Sequence, residues 1–408
     1  MKLGQCEMMF KYHKRLILIL FLLFLLPGCA RAKSTNNPAM ATALPIRTQF
    51  TVPTSTITLS STPTLIPTST QTPISTQTAT TLIAPPPTQM LTSTTASVKP
   101  LYKLINLGTD QGPVYDQSWS FDARLFAAAD YDQIKVWDIN AGWEVSMLKG
   151  HTDFVAGLAW SPKANVLASA SQDGTMRLWD GTSLTVMAIL DIGQPLGCLT
   201  WSPDGRQLAV GSYSGDIYLL NVITQEVYNT WSPDTVDTSR DDIISITWSP
   251  DGQTIASGDL EGNIYLWEVA TGQARLALTE QDPLENGHDV NGLSWSPDGT
   301  MLVSAHPDGQ IQLWDSATGR MLRAITAHTP PVADVTWSPN GELLASIGYE
   351  DRFVRLWDPD TGRLYAEARH DSLPGWSISW SPDGNKIASG CGEWQQPRIG
   401  EIIVWIIS

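Results

Sequence analysis

Beyond residue 100 the chain alternates apolar and polar positions over short stretches that end in turn residues. One such unit begins with the alternating stretch Leu293–Trp295, turns at Ser296–Gly299 and continues through a second stretch, Met301–Ala305. A further turn at Pro307–Gly309 then leads into Ile311–Trp314. A period of two is typical of strands, and Pro and Gly suit turns that need a fixed or positive φ. The pattern predicts an all-β domain of short strands and tight turns.

This unit recurs seven times. A Trp-Ser pair, usually followed by Pro-Asp-Gly, returns after 41, 41, 47, 47, 42 and 43 residues. The pairs begin at Trp119, Trp160, Trp201, Trp248, Trp295, Trp337 and Trp380. About 19 residues later six of the repeats carry a second Trp, and the third repeat has Leu220 there. Self-similarity at this period predicts stacked units that bury a core together.

The repeat resembles one blade of the WD-repeat (WD40) family, whose units have four strands over 40–45 residues with Gly-His and Trp-Asp markers. The resemblance covers residues 101–408 and implies a seven-bladed β-propeller. The TolB-like propeller, which shares the Trp-Ser-Pro-Asp-Gly turn and often has six blades, is the alternative fold. The Trp-Asp markers and the count of seven favour the WD40 type.

The resemblance further implies a hydrogen-bond network within a blade, in which a loop His, a strand Ser, a turn Asp and the third-strand Trp staple neighbouring strands. Complete sets occur in the second, fifth and sixth repeats. They are His151, Ser169, Asp173 and Trp179; His288, Ser304, Asp308 and Trp314; and His328, Ser346, Asp351 and Trp357. The seventh repeat keeps His370, Ser389 and Trp405 but has an insertion in place of the Asp. His306 is off the pattern and is predicted to be a turn residue.

Ring closure predicts a role for the segment ahead of the first repeat. The seventh repeat stops at its third strand, Ile402–Ile407, and lacks a fourth. Leu101–Leu107 is a strand-like stretch without a repeat of its own. Pairing the two stretches removes two exposed sheet edges, which closed β-architectures avoid. We therefore expect an N-terminal strand to close the ring and the propeller to start near residue 101.

The N-terminus has the order of an export signal. Lys11 and Arg15 precede the apolar run Leu16–Leu26, and eleven apolar residues are too few to span about 30 Å of hydrocarbon. Leu26–Cys29 resembles the lipobox of bacterial lipoproteins, which implies a signal peptide over 1–28 and acylation of Cys29. The expected location is extracytoplasmic, anchored to the bacterial cell membrane. An ordinary signal peptide is the alternative, and Met1, Met8 and Met9 remain candidate start residues.

Residues 29–100 are predicted to be a disordered stalk. Between 32 and 100 the chain has 20 Thr, 8 Ser and 10 Pro, with only three charged residues. Such a segment cannot bury enough apolar surface to offset its chain entropy. The stalk would hold the propeller away from the membrane, and whether it carries glycans is left open.

Charge narrows the choice of partners. Residues 101–408 contain 17 Lys and Arg and 40 Asp and Glu, so their net charge is 17 − 40 = −23. Phosphate backbones need clustered Lys and Arg, so we expect no nucleic acid partner. The four cysteines match no zinc spacing. Cys198 and Cys391 lie in distant repeats and are interpreted as small buried residues.

No nucleophile–base pair, metal signature or phosphate loop is present in the sequence. We therefore expect no catalytic activity, no cofactor and no metal. The predicted function is a membrane-anchored binding platform, a monomeric propeller with a protein or peptide partner. A propeller enzyme and a small-molecule or glycan sensor at the central funnel are the alternatives, because propellers host all three.

Large side chains before the first strands and between the second and third strands predict where the partner binds. In the WD40 family these positions face the narrow mouth of the ring. The candidates are Tyr115, Tyr131, Phe154, Tyr213, Leu260, Tyr349, Trp376 and Trp394. Aromatic side chains bury much area at low entropy cost, which makes them frequent binding hot spots.

Overall fold

The computed structural model describes residues 99–109, 112–232, 242–278, 289–371, 373–393 and 399–407. These residues form seven β-sheets, here called blades 1 to 7 in chain order. Each blade holds four antiparallel strands, so the predicted seven-bladed, all-β propeller is confirmed. Cys29 and the predicted stalk up to residue 98 lie outside the described residues. Within the described part, no helix is long and apolar enough to cross a membrane.

The strands of blades 1 to 4 follow one another from the inner to the outer edge. Blade 1 comprises β3 (Gln117–Trp119), β4 (Leu125–Asp130), β5 (Gln133–Asp138) and β6 (Trp143–Lys149). Blade 2 comprises β7 (Val155–Trp160), β8 (Val166–Ser171), β9 (Thr175–Asp180) and β10 (Thr185–Asp191). Blade 3 comprises β11 (Leu196–Trp201), β12 (Gln207–Ser212), β13 (Ile217–Asn221) and β14 (Glu226–Trp231). Blade 4 comprises β15 (Ile243–Trp248), β16 (Thr254–Asp259), β17 (Ile264–Glu268) and β18 (Ala274–Leu278).

Blades 5 and 6 repeat this order, and blade 7 takes its outer strand from the start of the domain. Blade 5 comprises β19 (Gly292–Trp295), β20 (Met301–Ala305), β21 (Gln310–Asp315) and β22 (Met321–Thr326). Blade 6 comprises β23 (Val332–Trp337), β24 (Leu344–Gly348), β25 (Phe353–Trp357) and β26 (Leu364–Arg369). Blade 7 comprises β27 (Gly375–Trp380), β28 (Lys386–Glu393), β29 (Ile399–Ile406) and β2 (Tyr102–Thr109).

The Trp-Ser-Pro-Asp-Gly motif builds the turn between the first and second strands. In blade 3, Ser202 Oγ donates to Asp204 Oδ1 at 2.6 Å and accepts from Gln207 N at 2.9 Å. Gly205 ends the turn at φ +71°, a conformation that costs Gly little. The preceding Trp201 is buried at 7% exposure between blades. The motif therefore fixes both the turn and the packing of each blade on its neighbour.

The ring closes as the sequence predicts. Strand β2 pairs antiparallel with β29, with Leu107 opposite Ile402. One element was not predicted: β1 (Lys99–Pro100) pairs parallel with the outer strand β26 of blade 6. The N-terminal segment thus adds to the sheets of two neighbouring blades.

One position, three residues before the Trp of the inner strand, links neighbouring blades wherever it carries a polar side chain; blades 2 and 5 have Gly157 and Gly292 there. In blade 4 this residue is Ser245, whose Oγ donates to the carbonyl of Val290 in blade 5 at 2.8 Å. In blade 7 it is Ser377, whose Oγ donates to the carbonyl of Val114 in blade 1 at 2.9 Å. Cys198 occupies the same position in blade 3.

Two blades use a carboxylate at this position. Asp116 of blade 1 accepts from Leu158 N of blade 2 at 2.6 Å. Asp334 of blade 6 accepts from Ile378 N of blade 7 at 2.9 Å. Burial raises the pKa of both groups to about 7, against the effect of these hydrogen bonds. The charge of Asp116 also raises the pKa of Asp334.

Closure by β2 gives the first testable prediction. A chain that starts at residue 99 should unfold in one cooperative transition, whereas a chain that starts at 110 lacks β2 and exposes the edge of β29. Thermal unfolding followed by circular dichroism compares the two, and the shorter chain should melt at a clearly lower temperature or aggregate. Equal melting temperatures would contradict the role of β2.

The raised pKa of Asp116 gives the second prediction. A carboxyl whose pKa rises from 3.8 to about 7 on folding contributes stability that is present below pH 3.8 and is lost as pH rises through 7. Asp116→Ser removes this group and installs the residue that blades 4 and 7 use. Relative to wild type, the unfolding free energy of the variant should rise by about 1.4 kcal/mol per pH unit between pH 5 and 7, then level off.

Denaturant unfolding at several pH values measures this difference. Cys198→Ser, at the same position in blade 3, removes no carboxyl and should run parallel to wild type. If the Asp116→Ser profile also runs parallel to wild type, Asp116 does not titrate in this range.

Candidate functional site

One end of the ring gathers most of the residues predicted to bind a partner. Within an antiparallel blade, the start of the first strand and the turn between the second and third strands lie at the same end. We call this end of the ring the mouth face. Tyr115 precedes β3, Phe154 precedes β7 and Tyr349 follows β24, so all three lie on it. The blades thus bring together residues that are far apart in the chain.

Five of these side chains form an aromatic cluster across blades 1, 2, 6 and 7. The Tyr115 ring lies 4.6 Å from Phe154, edge to face, and 4.5 Å from Trp376. Tyr349 meets Trp376 edge to face at 4.9 Å, and Tyr131 lies 6.3 Å from Phe154. These centroid distances are those of favourable aromatic pairs. The aromatic cluster is therefore one packed surface.

The members of the aromatic cluster differ in exposure. Tyr115, Tyr131, Tyr349 and Trp376 are half-buried. Phe154 is only 4% exposed, so its predicted role as a contact residue is wrong, and it supports the rings around it. Trp376 Nε1 donates to the carbonyl of Gly392 at 2.9 Å, which fixes the indole against β28. The surface is preorganised by packing beneath it.

Two further predicted residues extend the mouth face to blades 3 and 4. Tyr213 and Leu260 follow the second strands of those blades and are half-buried. The Tyr213 ring covers Gly197, where an added Cβ would lie 3.3 Å from its Cε1. Trp394 lies outside the described residues.

The predicted blade networks form in blades 2 and 6. In blade 2, His151 Nε2 lies 2.8 Å from Ser169 Oγ and Nδ1 lies 2.9 Å from Asp173. Trp179 Nε1 donates to the same Ser169 Oγ at 2.9 Å. Burial lowers the pKa of His151, so the imidazole is neutral near pH 7. This histidine holds strands together and is not presented to a ligand.

Blade 6 repeats the arrangement. His328 Nε2 lies 2.7 Å from Ser346 Oγ and Nδ1 lies 3.1 Å from Asp351. Trp357 Nε1 donates to Ser346 Oγ at 2.8 Å.

Blade 5 differs from the predicted set. Trp314 Nε1 donates to Ser304 Oγ at 2.8 Å, but the imidazole on Ser304 is that of His306, at 2.7 Å. His306 is 4% exposed, so it is a buried network residue and not a free turn residue. Asp308 accepts from Gln310 N at 2.8 Å within its own turn. His288 lies outside the described residues.

Blade 1 replaces the network with an ion pair. Lys135 Nζ lies 3.4 Å from Asp130 Oδ2, and both side chains are buried. The sequence did not point to this pair, because neither residue occupies a network position of the family. The replacement shows that a blade needs some buried polar link and not one fixed set of residues.

A second surface, which the sequence did not indicate, lies on the outer strands. Trp143 on β6 is 64% exposed and Ile189 on β10 is 55% exposed. Trp231, by contrast, is buried and stacks on Trp267 at 5.9 Å. The outer strands are therefore an alternative apolar surface for docking.

Comparisons with known proteins match the repeats. Residues 142–180, 192–221, 232–268 and 319–358 match the family model "WD domain, G-beta repeat". Residues 277–338 match that of the "Anaphase-promoting complex subunit 4 WD40 domain".

Individual relatives cover short parts of the chain. "THO complex subunit 3" of Arabidopsis thaliana is 31% identical over 27% of this chain and 36% of its own length. "Protein transport protein SEC13" of Phaeosphaeria nodorum is 37% identical over 22% of this chain and 33% of its own length. The mouse "Periodic tryptophan protein 2 homolog" is 37% identical over 22% of this chain and 10% of its own length. The match thus spans about a third or less of each relative.

The geometry and the comparisons agree on the kind of domain. Seven four-stranded blades form the described ring, and four segments of the chain match the WD40 repeat. The described residues therefore form a seven-bladed β-propeller, and four segments of the chain are similar to the WD40 repeat.

Proposed function

We propose that this chain is a non-catalytic interaction platform whose protein or peptide partner binds over the aromatic cluster of the mouth face. The observation that carries the proposal is the cluster itself, in which five rings from four blades form a chain of contacts with centroid distances of 4.5–6.3 Å. A WD40 propeller is a scaffold of the kind that binds proteins.

The physics of the cluster supports binding. Half-exposed Tyr and Trp side chains have much of their surface still to bury, and their packed neighbours have already removed most of their rotational freedom. Trp376 has its indole nitrogen satisfied by Gly392, so a partner that covers the ring leaves no polar group unpaired. Covering this surface therefore costs little entropy and little desolvation.

Charge favours a partner segment that carries Lys or Arg. Burial raises the pKa of Tyr349, and the nearby carboxyls of Glu393 and Glu350 raise it further. Asp116 and Asp334 add negative charge on the inner strands as pH rises through 7. Complementary charge steers association and selects between partners. The same charge disfavours nucleic acid.

The described histidines and thiols support a non-catalytic role. His151, His306, His328 and His370 are each bonded to a blade serine. Burial raises the pKa of the Cys198 and Cys391 thiols, which keeps them protonated and poorly nucleophilic. Among the relatives, one is named as a complex subunit and one as a transport protein, which accords with a binding role.

We further propose that the propeller stands outside a bacterial cell on a lipid anchor. The support is the sequence Leu26–Cys29 after a short apolar run, followed by the Thr-rich and Pro-rich stretch up to residue 100. An acyl chain on Cys29 would attach the chain to the membrane.

Trimming the mouth face, at Trp376 within the aromatic cluster and at Tyr213 of blade 3 outside it, tests the binding site. Trp376→Ala and Tyr213→Ala, made separately, should each weaken capture of the cell-surface partner by about 2 kcal/mol or more, because each removes a large part of the contact. Crosslinking on intact cells followed by mass spectrometry identifies the partner, and titration of that partner measures the loss. Trp143→Ala is the matched control, since Trp143 is exposed on an outer strand.

Thermal unfolding of each variant accompanies the titration. Trp376 is half-buried and hydrogen-bonded, so a modest drop in melting temperature is expected there and not for Trp143→Ala. Unchanged affinity in folded Trp376→Ala and Tyr213→Ala would place the binding site elsewhere, and a loss in Trp143→Ala alone would place it on the outer strands.

Anchoring has its own test. Cys29→Ser should leave an unprocessed precursor or release the protein from membranes, because a serine oxygen cannot replace the acylated thiol. Membrane fractionation and intact-mass measurement report the outcome. The anchor would be refuted if Cys29→Ser stayed on the membrane and differed in mass from wild type only by the exchange of sulfur for oxygen, with no acyl chain on either protein.

A further inference from the structure

Blade 7 lacks one partner that the blade histidines of blades 2 and 6 have. In those blades the histidine Nδ1 has a hydrogen-bond partner in a turn carboxylate. The distance from Nδ1 to the carboxylate oxygen is 2.9 Å between His151 and Asp173 and 3.1 Å between His328 and Asp351. In the sequence of blade 7 an insertion stands where this Asp would be. The equivalent imidazole, His370, still lies 2.7 Å from Ser389 through Nε2.

Among the described residues, no hydrogen-bond partner reaches His370 Nδ1, which is a buried polar atom. The side chain is 0% exposed, and within the described residues Nδ1 makes no hydrogen bond. Leaving such an atom unsatisfied is unfavourable by about 1–3 kcal/mol. Burial lowers the pKa of His370 to about 4, with Lys103 nearby adding to that effect, so protonation does not offset this cost near pH 7.

Cys391 stands beside the unsatisfied nitrogen. Cys391 comes two residues after Ser389. The equivalent residue in blade 6 is Gly348, which comes two residues after Ser346. A Cβ added at Gly348 would lie 2.6 Å from His328 Nδ1. The Cys391 side chain thus occupies the space next to Nδ1 that the turn Asp fills in blade 6.

Glu401 approaches from the next strand. It pairs with Cys391 in the register of β28 and β29 and lies four residues before Trp405. In blade 2 the same place is Thr175, whose Oγ1 lies 3.2 Å from His151 Nδ1. Equivalent positions thus bring a thiol and a carboxylate to one imidazole nitrogen.

The three side chains meet in space. One ligand atom each from His370, Cys391 and Glu401 lie within 4.8 Å of one another. Tetrahedral Zn²⁺ with bonds of 2.0–2.3 Å separates its ligand atoms by about 3.3–3.8 Å. Side-chain rotations that draw the ligand atoms together by about 1 Å would therefore place them at three corners of a tetrahedron around the ion.

We propose that His370, Cys391 and Glu401 form a divalent-metal site with a preference for Zn²⁺. Imidazole nitrogen, thiolate sulfur and carboxylate oxygen are the donors that this borderline-soft ion takes in proteins. The ion satisfies Nδ1 in place of the missing aspartate.

Surrounding groups orient two of the three ligands, Glu401 and His370. Asn106 Nδ2 donates to Glu401 Oε1 at 2.8 Å, which holds the carboxylate. Ser389 Oγ lies 3.4 Å from the carbonyl of Ile403, so it can donate there and accept from His370 Nε2. This tautomer leaves the Nδ1 lone pair free for the metal, as outer-shell partners do in metal sites.

The metal displaces the thiol proton. Burial raises the pKa of Cys391, followed by the charge of Glu401, so the thiol is protonated without metal. Among the described residues, the charged groups that act on these ligands are Glu401, Lys103 and Asp371. Binding releases a proton and strengthens as pH rises, which is typical of thiolate sites.

The ion joins elements that close the ring. His370 follows β26 of blade 6, Cys391 lies on β28, and Glu401 lies on β29 and is held by Asn106 of β2. A bound metal would therefore link the end of blade 6 to blade 7. Because it binds only the folded chain, it should stabilise the fold by mass action.

Titration of the metal-free full chain with Co²⁺ tests the site. Wild type should develop a thiolate-to-cobalt charge-transfer band that saturates at one ion per chain above any background from Cys6, Cys29 and His13. Cys391→Ser should lose this band. Cys198→Ser is the matched control, because it removes a buried thiol far from His370, and should keep it.

Zn²⁺ gives a second readout. Zn²⁺ should raise the melting temperature of wild type and Cys198→Ser but not of Cys391→Ser or Glu401→Gln. The Gln side chain in Glu401→Gln can still accept the hydrogen bond from Asn106, so this variant removes the charge and keeps that contact. A saturating band that survives in Cys391→Ser, or an equal Zn²⁺ shift in folded Glu401→Gln, would overturn the proposal. Absence of the band in wild type would do the same.

Discussion

Closure of the ring is the constraint on which the rest of this structure depends. A β-sheet with an unpaired edge invites pairing with other chains, and a propeller avoids it only if its last blade is completed. Here β2 pairs with β29 and so joins residues 102–109 to the last strand of the domain. The inner strands of neighbouring blades can then hold one another, and the mouth face becomes one surface.

Within the closed ring, the same physical task is done by different residues. At the inner-strand position the link between blades is a serine hydroxyl at Ser245 and a carboxylate at Asp116. Inside the blades, blade 2 uses His151 and Ser169, whereas blade 1 uses the buried pair Asp130 and Lys135. Each solution pairs a buried polar group, which is what burial demands. Because different polar residues can form the link, a single blade can change its residues at these positions without loss of the fold.

Local signals made most of the fold predictable from the sequence. The Ser-Pro-Asp-Gly turn forms its hydrogen bonds within itself, so these four residues are enough to predict the turn. The missing fourth strand of the seventh repeat predicted that β2 completes blade 7. Contacts across the ring were harder to foresee. Phe154 aligns with half-buried neighbours but is itself buried and packs edge to face on Tyr115. His306, two residues after Ser304, takes the place of the loop histidine in the network. The closeness of Cys391 to His370 depends on the register of β28, which no local motif encodes.

The central claim about function is that a partner covers the aromatic cluster. Hydrogen exchange of the propeller, measured with and without the crosslink-identified partner, tests it most directly. The account predicts slower exchange at residues 112–116, 153–155, 349–353 and 375–377, which surround the cluster on four blades. Protection confined to the outer strands β6, β10, β14 and β22, with unchanged exchange around Trp376, would contradict it.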